Sequence, residues 1–446
     1  MKRSAREIAL QALLRVNLDQ GYSNLVLDNL LKDSGLDGRD TALASALFYG
    51  VLERKLTLDF ILAAYSKTPL EKLSPEVLEL LRLGTYQLLF MDKIPPSAAV
   101  NETVRLAHLR RQERAAGFVN GVLRNIARTG GRLAEKHPPF SREKNLSLRY
   151  SCPEWLVKLW VDAYGAEHAE ALLAAALGRP PLTARVNPLK TTVQALAAAF
   201  AAQGVRAEAV EGVTDALRLE AAGSVEENPL YREGCFHIQD TASQLCCAML
   251  DPRPGERVID VCAAPGGKSF TIAERMKNEG EVLSFDLHPS KVRLIQTGAA
   301  RLGLSCIRAG VRNAKAPAEP LEPADRVLCD VPCSGLGILR RKPEIRYKSA
   351  DLLDRLPDLQ YLILCKSAEL VKTGGKLFYS TCTLNPAENG EIAARFLREH
   401  AAFVPSPLEL PRGMARLPGE GAHQATLMPH LHGTDGFFFA AFQKLR

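Results

Sequence analysis

Two cysteines end apolar segments in the second half of the chain, and each lies in a short polar motif. Cys333 belongs to VLCDVPCSG (residues 327–335), which also contains Asp330, and Cys382 belongs to YSTCTLNPAENG (residues 379–390). A cysteine thiolate is a strong nucleophile, and a carboxyl group beside it can move a proton or stabilise charge. The residue types therefore indicate covalent catalysis, whereas a single buried cysteine is more often a small apolar core residue.

The elements around these motifs predict that the motifs meet. From residue 235 onward, apolar segments such as ERVIDVC, EVLSFDL, ADRVLCDV and GGKLFYSTC alternate with helical segments such as SFTIAERMKN. This alternation predicts a doubly wound parallel sheet, an α/β Rossmann-like fold, which binds ligands at the carboxyl ends of its strands. Because consecutive strands in such sheets are usually neighbours, we expect Cys333 and Cys382 to face one cleft.

The residues after Cys382 predict the start of a helix. Asn385 fits the N-cap, Pro386 the first helical position and Glu388 the third residue after the cap, which together form a capping box. A helix N-terminus stabilises a nearby thiolate by about 0.3–1 kcal/mol. This effect slightly favours Cys382 over Cys333 as the attacking sulfur.

The first predicted strand runs into a glycine-containing loop, DVCAAPGGKSF (residues 260–270), that is followed by a helix. The loop is not a P-loop, because Cys262 stands where the first glycine is required, and it lacks the G-x-G-x-x-G dinucleotide fingerprint. The second strand ends in Asp286, where a carboxylate can accept both hydroxyls of a ribose. A ribose-containing cofactor bound without a phosphate cradle suggests S-adenosylmethionine.

A thiolate, an acid and a methyl donor together suit the methylation of a pyrimidine base. Carbon 5 of a pyrimidine is too weak a nucleophile to take a methyl group directly. Addition of a thiolate to carbon 6 makes carbon 5 enolate-like, and a carboxyl group near nitrogen 3 stabilises the charge. The target base has to leave its stack to reach such a pocket.

Three motifs, DVCAAPGGKS, DVPCSGLGILRRKPEIRY and YSTCTLNPAENGEI, together resemble the RNA 5-methylcytosine methyltransferases of the NOL1/NOP2/Sun family. The match is closest to the bacterial members that methylate a cytosine of 16S rRNA. It extends over the chain, because YGVLERK and FVNGVLRNIA are similar to RNA-binding NusB proteins, and RYSCPEWLVKLW, FHIQDTASQL and TDGFFFAAFQK also match in order. The resemblance implies S-adenosylmethionine as the cofactor, no metal, 16S rRNA (naked or in an early assembly intermediate) as the partner, and a monomer.

The resemblance also implies roles for individual residues. Cys382 corresponds to the nucleophile that attacks carbon 6, Cys333 to the cysteine that assists breakdown of the adduct, and Asp330 to a residue beside the cytosine and the methyl donor. Asn313 departs from the family, which usually has an aspartate near the adenine, and an amide offers a different donor pattern. The implied cofactor contacts are Cys262, Ala263, Ala264, Pro265, Gly266, Gly267, Lys268, Asp286, Asn313 and Asp330.

The remainder of the chain predicts a multidomain protein. Residues 1–130 repeat apolar side chains at three- and four-residue spacing, which predicts an all-α domain, and the resemblance makes this domain NusB-like. A linker at 131–145 precedes a small α+β unit at 146–234, which we interpret as an RNA-binding subdomain. The Rossmann-like methyltransferase domain occupies 235–446.

Two basic runs are candidate RNA contacts, with a solvated surface as the alternative reading of each. The first closes the helical domain, and the second directly follows Cys333, where positive charge can grip RNA phosphates. The predicted RNA-binding residues are Arg105, Arg110, Arg111 and Arg114 in the first run and Arg340, Arg341, Lys342 and Arg346 in the second.

The composition is that of a moderately basic globular protein, with 446 residues and a net charge of +7. No apolar run approaches the roughly 20 residues of a membrane span, and Arg6 and Glu7 interrupt the segment where a signal peptide would be apolar. We therefore expect a cytoplasmic enzyme. The motifs do not separate 16S rRNA from tRNA or another RNA as the substrate, and a non-catalytic RNA-binding or assembly factor is the alternative from another class.

Overall fold

The structure is a computed structural model, and it describes residues 3–19, 22–132, 140–220, 223–316 and 321–446. Its contacts divide the chain into two compact units. The first unit comprises Met1–Arg179 and Leu339–Lys348, and the second comprises Pro180–Ile338 and Ser349–Arg446. The chain therefore leaves the second unit shortly after Cys333 and returns to it at Ser349.

The described part of the first unit is helical, as the spacing of its apolar residues predicted. Local signals mark several helix ends: the hydroxyl of Ser74 accepts from the backbone N–H of Val77, and Gly130 takes the left-handed conformation after α7. The helices are α1 (Ala5–Asp19), α2 (Ser23–Lys32), α3 (Gly38–Glu53), α4 (Lys55–Tyr65), α5 (Pro75–Phe90), α6 (Pro96–Leu109), α7 (Glu113–Thr129), α8 (Arg142–Tyr150), α9 (Glu154–Tyr164) and α10 (Ala166–Ala175).

The second unit contains a small antiparallel sheet. It is formed by β1 (Leu182–Val186), β2 (Arg206–Ala209), β3 (Ala216–Glu220) and β4 (Phe236–Ile238) in the order β2-β3-β1-β4. Helix α11 (Val193–Ala202) packs on it through Leu196 and Phe200, and these two side chains share an apolar cluster with Phe236. The short helix α12 (Pro229–Arg232) follows β3.

The larger sheet has the strand order β10-β12-β9-β8-β5-β6-β7, and β11 pairs with β12. Strands β7, β6, β5, β8 and β9 run parallel, which confirms the predicted Rossmann-like fold. The strands are β5 (Arg257–Asp260), β6 (Glu281–Asp286), β7 (Ile307–Val311), β8 (Ala324–Asp330), β9 (Val371–Thr381), β10 (Phe403–Pro405), β11 (Gln424–Leu427) and β12 (Phe437–Lys444).

Helices cover this sheet, and apolar clusters fill the space between the layers. The sequence interpretation did not include β10, β11 or the antiparallel strand β12, whose FFFAAFQK run pairs with β9. The helices are α13 (Thr241–Leu250), α14 (Gly267–Arg275), α15 (Pro289–Leu302), α16 (Leu356–Ala368), α17 (Gly390–Glu399) and α18 (Pro429–His432). Among the helices of the described ranges, none combines the length and the apolar character that a membrane crossing requires.

The compact units divide the predicted α+β region at 146–234 between them. Its helices α8, α9 and α10 belong to the first unit, and its strands belong to the second. Helix α8 is tied to the start of α4, because the backbone N–H of Leu56 donates to Ser151 Oγ at 2.9 Å and Thr57 Oγ1 donates to the carbonyl of Leu148 at 2.6 Å.

Candidate active site

The two predicted cysteines lie side by side at the carboxyl ends of β8 and β9. These strands are parallel neighbours, and their register places Asp330 opposite Ser380. Cys333 follows β8, Cys382 follows β9, and their sulfur atoms are 3.2 Å apart. The backbone N–H of Gly337 donates to the carbonyl of Cys382 at 3.0 Å, which holds the two loops together beyond the strands.

The contact between the sulfurs affects the ionisation of Cys333. The hydrogen bond to Cys382 raises the pKa of Cys333 well above its usual range, and burial and the neighbouring charge act in the same direction. A raised pKa keeps Cys333 in its thiol form, which can donate a hydrogen bond to a neighbouring sulfur. The buried thiols of Cys247 and Cys329, in contrast, have pKa values raised to about 12, chiefly by burial.

Asp330 is held in place by two donors. Its Oδ2 accepts from Lys268 Nζ at 2.8 Å, and its Oδ1 accepts from Ser380 Oγ at 2.7 Å. Burial opposes the charge of Lys268, but the carboxylate of Asp330 outweighs it and raises the pKa of the lysine. Lys268, predicted as a cofactor contact, thus forms an ion pair with Asp330 at the sheet edge where the loops of Cys333 and Cys382 begin.

The capping box predicted after Cys382 is wrong in part. Asn385 does cap a helix, accepting from the N–H of Ala387, but this is the three-residue 3₁₀ helix Pro386–Glu388. The α-helix α17 begins only at Gly390. The carboxylate of Glu388 does not reach back to the cap backbone, because buried donors on the Cys333 loop and on α16 draw it inward. The α-helix whose N-terminus would have stabilised a thiolate at Cys382 therefore begins further along the chain than predicted, at Gly390.

The predicted cofactor loop is compact and internally bonded. Its Ala263 N–H donates to the carbonyl of Phe285, and its Gly266 N–H donates to the carbonyl of Ala263, both at 2.8 Å. Gly266 has φ 115°, and a Cβ at this position would lie 2.4 Å from the ring of Phe270. Only glycine satisfies both constraints, so the loop can turn sharply into α14 with its backbone exposed to a ligand.

The residues around this loop fit an adenosyl cofactor. Asp286 ends β6, the strand next to β5, and its Oδ1 accepts from the N–H of His288 at 3.0 Å, which orients the carboxylate. Leu287, directly after β6, and Val311, the last residue of β7, expose apolar side chains at the same sheet edge. Asn313 is exposed, and its Oδ1 accepts from the N–H of Lys315, so its amide nitrogen is the group that a ligand could meet.

Three family models match the chain in order. They are the NusB family over residues 3–128, a Methyltr_RsmF/B-like ferredoxin-like domain over 152–226, and 16S rRNA methyltransferase RsmB/F over 247–443. The chain is 42% identical to a probable ribosomal RNA small subunit methyltransferase B of Bacillus subtilis, and the match covers 99% of both chains. This chain belongs to the 16S rRNA methyltransferase RsmB/F family.

Solved structures agree with this family assignment. The crystal structure of PH0851 matches with a TM-score of 0.84 at 25% identity and covers 100% of both chains. A methyltransferase homologue from Pyrococcus horikoshii matches with a TM-score of 0.61 at 28% identity, covering 69% of this chain and all of that one. The helical region α1–α7 of this RsmB/F family member corresponds to its NusB match.

The first basic run of this RsmB/F family member extends from α6 across the connection into α7, with Arg110 and Arg111 between the two helices. Arg105 pairs with Glu102 at 2.7 Å, and Arg110 pairs with Glu76 at 2.6 Å. Arg111 and Arg114 are exposed, and within the described residues neither side chain has a partner. These two arginines are consequently the members of the run most available to an anionic ligand.

The second basic run lies in Leu339–Lys348, which is part of the first unit. Arg340 and Arg341 are partly exposed, and Lys342 places its ammonium 4.9 Å from the ring centroid of Tyr22. The prediction that Arg346 binds RNA is wrong, because this residue is fully buried.

Arg346 instead caps three helices. Its guanidinium donates to the carbonyl of Glu53 at 3.1 Å, of Tyr150 at 3.4 Å and of Ala176 at 2.9 Å. Glu53 and Tyr150 are the last residues of α3 and α8, and Ala176 is the C-cap of α10. A cation is stabilised at helix C-termini by the aligned carbonyls, so this position holds the helices and is closed to phosphate.

Proposed function

We propose that this protein transfers a methyl group from S-adenosylmethionine to carbon 5 of a cytosine in 16S rRNA, through a covalent bond between Cys382 and carbon 6. The observation that carries the proposal is the pair of sulfurs 3.2 Å apart beside the carboxylate of Asp330. A cysteine sulfur as nucleophile, a neighbouring thiol that keeps its proton, and a carboxyl group that can share a proton with nitrogen 3 are the groups that methylation of a pyrimidine through such an adduct uses.

Cys382 acts as the nucleophile. Its thiolate bonds to carbon 6 of a flipped cytosine, and the electron pair of the 5,6 double bond makes carbon 5 nucleophilic. After carbon 5 has gained its methyl group, transfer of the carbon 5 proton to a water molecule restores the double bond and expels the Cys382 thiolate. Cys333, whose sulfur lies 3.2 Å from that of Cys382, assists this release by hydrogen bonding to the departing sulfur.

Asp330 and Lys268 stabilise the base while it is covalently bound. Addition at carbon 6 places negative charge on the ring edge at nitrogen 3 and oxygen 2. A carboxyl group can share a proton with nitrogen 3, and a neighbouring ammonium stabilises an oxygen anion. The bond from Ser380 Oγ and the ion pair with Lys268 fix the direction in which Asp330 points.

The cofactor would be held by the loop Cys262–Lys268, by Asp286 and by Asn313, with Asp330 at the methyl end. When bound, S-adenosylmethionine supplies an electrophilic methyl group. The turn at Gly266, where a Cβ would collide with Phe270, would let the loop backbone face the cofactor, and Asp286 would offer carboxylate oxygens to the ribose hydroxyls.

The proposal of 16S rRNA rests on the family and on the charge of the helical unit. The relative from Bacillus subtilis is named for methylation of the small-subunit ribosomal RNA. Arg111 and Arg114 offer positive charge that no acidic residue neutralises within the described ranges. A 16S rRNA segment, naked or in an early assembly intermediate, is therefore the proposed substrate.

The decisive experiment follows covalent complexes between the protein and RNA. Purified wild-type, Cys382→Ala, Cys333→Ala and Cys235→Ala proteins are incubated with S-adenosylmethionine and either 16S rRNA or bulk tRNA, and denaturing gels are run. We expect Cys333→Ala to accumulate an adduct with 16S rRNA, because release is impaired. Cys382→Ala should form none, and Cys235→Ala should behave as wild type because Cys235 lies away from the thiol pair.

The same reactions are analysed by bisulfite sequencing, which locates 5-methylcytosine. A new mark in 16S rRNA and none in tRNA supports the proposed substrate, whereas a mark in tRNA alone redirects the proposal to that RNA. An adduct with Cys382→Ala would reverse the roles of the two cysteines. Absence of both adduct and mark with every RNA would support a non-catalytic binding role instead.

A further inference from the structure

The carboxylate of Glu388 is fully buried and accepts four hydrogen bonds from three residues. Oε2 accepts from the backbone N–H of Ser334 at 2.9 Å and from Gln360 Nε2 at 2.8 Å. Oε1 accepts from Ser334 Oγ at 2.6 Å and from Asn385 Nδ2 at 3.0 Å. The side chain has no exposed surface, so these donors replace water completely.

These contacts fix the backbone on both sides of Cys333. Ser334 follows Cys333, and both its N–H and its hydroxyl are bonded to Glu388. Pro332 precedes Cys333, and its carbonyl accepts from the same Gln360 amide that donates to Glu388, at 2.9 Å. The loop that presents Cys333 is therefore tied to the carboxylate directly and through Gln360.

The same carboxylate is connected to the Cys382 loop. The hydroxyl of Ser334 lies 2.6 Å from that of Thr383, the residue after Cys382. The backbone of Glu388 is anchored in β9, because Tyr379 Oη donates to its carbonyl at 2.7 Å. One buried side chain thus joins the two loops whose sulfurs touch.

The chemistry of this network differs from that of a stabilising ion pair. All the donors to Glu388 are neutral: a backbone amide, a hydroxyl and two side-chain amides. A buried charge without a cation is costly, and an apolar replacement would often serve stability as well or better. The presence of a carboxylate here, rather than an apolar side chain, points to a role in which the negative charge and the fixed geometry both matter.

We propose that Glu388 is a positioning residue that holds Cys333 against Cys382 and keeps the proton on Cys333. Its negative charge is one of several influences on Cys333, after the hydrogen bond to Cys382 and burial, that raise the pKa of this thiol. The consequence of this positioning for methyl transfer rests on the proposed function, but the geometry of the thiols does not.

The test uses Glu388→Gln in the full-length protein. This change keeps the shape, but either orientation of the new amide sets its NH₂ group against two donors, since each carboxylate oxygen accepts two bonds. Glu391→Gln, an exposed glutamate at the start of the next helix, is the matched control. Circular dichroism and binding of S-adenosylhomocysteine establish that each variant is folded.

Two readouts then separate positioning from general damage. With 16S rRNA we expect Glu388→Gln to lower kcat by about 100-fold, with KM for RNA unchanged within about twofold. Without RNA, iodoacetamide labelling mapped by mass spectrometry should modify Cys333 about tenfold faster than in wild type at pH 8, since its proton is held less strongly. Labelling of Cys235 should not change.

If Glu388→Gln is folded and neither its kcat nor the labelling rate of Cys333 changes, the proposal is overturned. It is also overturned if the labelling of Cys235 becomes faster by the same factor as that of Cys333. If this variant does not fold, Ser334→Ala removes the hydroxyl bonds to Glu388 and Thr383 and should accelerate Cys333 labelling by about threefold; no acceleration would likewise overturn it. Faster labelling in a protein that methylates no cytosine would retain the positioning role and reject only the proposed function.

Discussion

The polar residues at the edge of the large sheet and those on the basic run of α6 and α7 are organised in opposite ways. Asp330, Lys268 and Glu388 are wholly or largely buried, and each has partners at fixed distances. Arg111 and Arg114 are exposed and have no partner within the described residues. The difference indicates a site built for one geometry in the first case and an unneutralised charged surface in the second; the second is the surface proposed to meet RNA.

Arg346 shows that residue type alone does not reveal whether a charged side chain is buried with fixed partners or exposed on the surface. It belongs to a basic run by sequence, yet its guanidinium is buried against the C-termini of α3, α8 and α10. Substitutions at the buried positions should therefore have large, position-specific effects, and substitutions at the exposed arginines should have small ones that depend on salt.

Replacement of Asp330 should have the largest effect. Asp330→Asn removes the charge that accepts from Lys268 and Ser380, so we expect kcat for methyl transfer to fall by about 10²–10⁴-fold. The measurement is transfer of a radiolabelled methyl group to 16S rRNA under saturating conditions. Asp354→Asn, an exposed aspartate of the same unit, is the control. A loss below about threefold at Asp330 would show that the buried carboxylate has no role in turnover.

Replacement of Arg346 should destabilise the helical unit. Arg346→Met leaves three helix-end carbonyls without their buried donor, and we expect the free energy of unfolding to fall by about 2–4 kcal/mol. Urea unfolding followed by circular dichroism measures this change. Lys348→Met, two residues along and exposed, should change it by less than about 0.5 kcal/mol. Equal stability of the two variants would show that Arg346 contributes no more to the free energy of unfolding than an exposed residue does.

Asp260 should make stability depend on pH. Burial raises its pKa to about 7, with a smaller contribution from Asp330 and an opposing hydrogen bond from Ser269. In the unfolded chain an aspartate ionises near pH 4, so between about pH 4 and 7 the native state holds the extra proton and stability falls as pH rises, by up to about 1.4 kcal/mol per pH unit. Asp260→Asn should remove this slope in urea titrations at several pH values. An identical slope in both proteins would show that a group other than Asp260 binds the extra proton of the native state.

Replacement of the exposed arginines should have the smallest effect. Arg111→Ala combined with Arg114→Ala should weaken RNA binding and lower the slope of log K against log salt by about 0.7 per residue. Fluorescence anisotropy with a labelled 16S rRNA fragment measures both quantities. Arg105→Ala, whose arginine is already paired with Glu102, should change the slope less. If the double variant keeps the wild-type slope, RNA does not contact the start of α7 or the connection before it.

Much of the fold can be predicted from local patterns in the sequence. Three- and four-residue apolar spacing predicted the helices of the first unit, and strand–helix alternation predicted the parallel part of the large sheet. The antiparallel strand β12 was not predicted, because its pairing with β9 joins segments that are distant in the chain. Strand pairing of this kind depends on partners that local periodicity does not report.

The candidate site likewise has parts that local sequence patterns predicted and parts that they did not. Cys333 and Cys382 could be assigned to one cleft because both follow strands of a parallel sheet, whose carboxyl ends share an edge. The role of Glu388 could not be predicted, since its spacing from Asn385 equally suits a capping box. Only the packing of the Cys333 loop and of α16 against β9 decided where its carboxylate points.

The sequence by itself determined the elements, the glycine loop and the edge at which the cysteines meet, because backbone preferences and apolar spacing act over a few residues. The tertiary structure decided which polar side chains become buried and what they bind. Arg346 finds a partner at Glu53, 293 residues away, and Lys268 finds Asp330, 62 residues away. Hydrogen-bond partners at such separations are selected by packing, so charge and residue type alone do not reveal them.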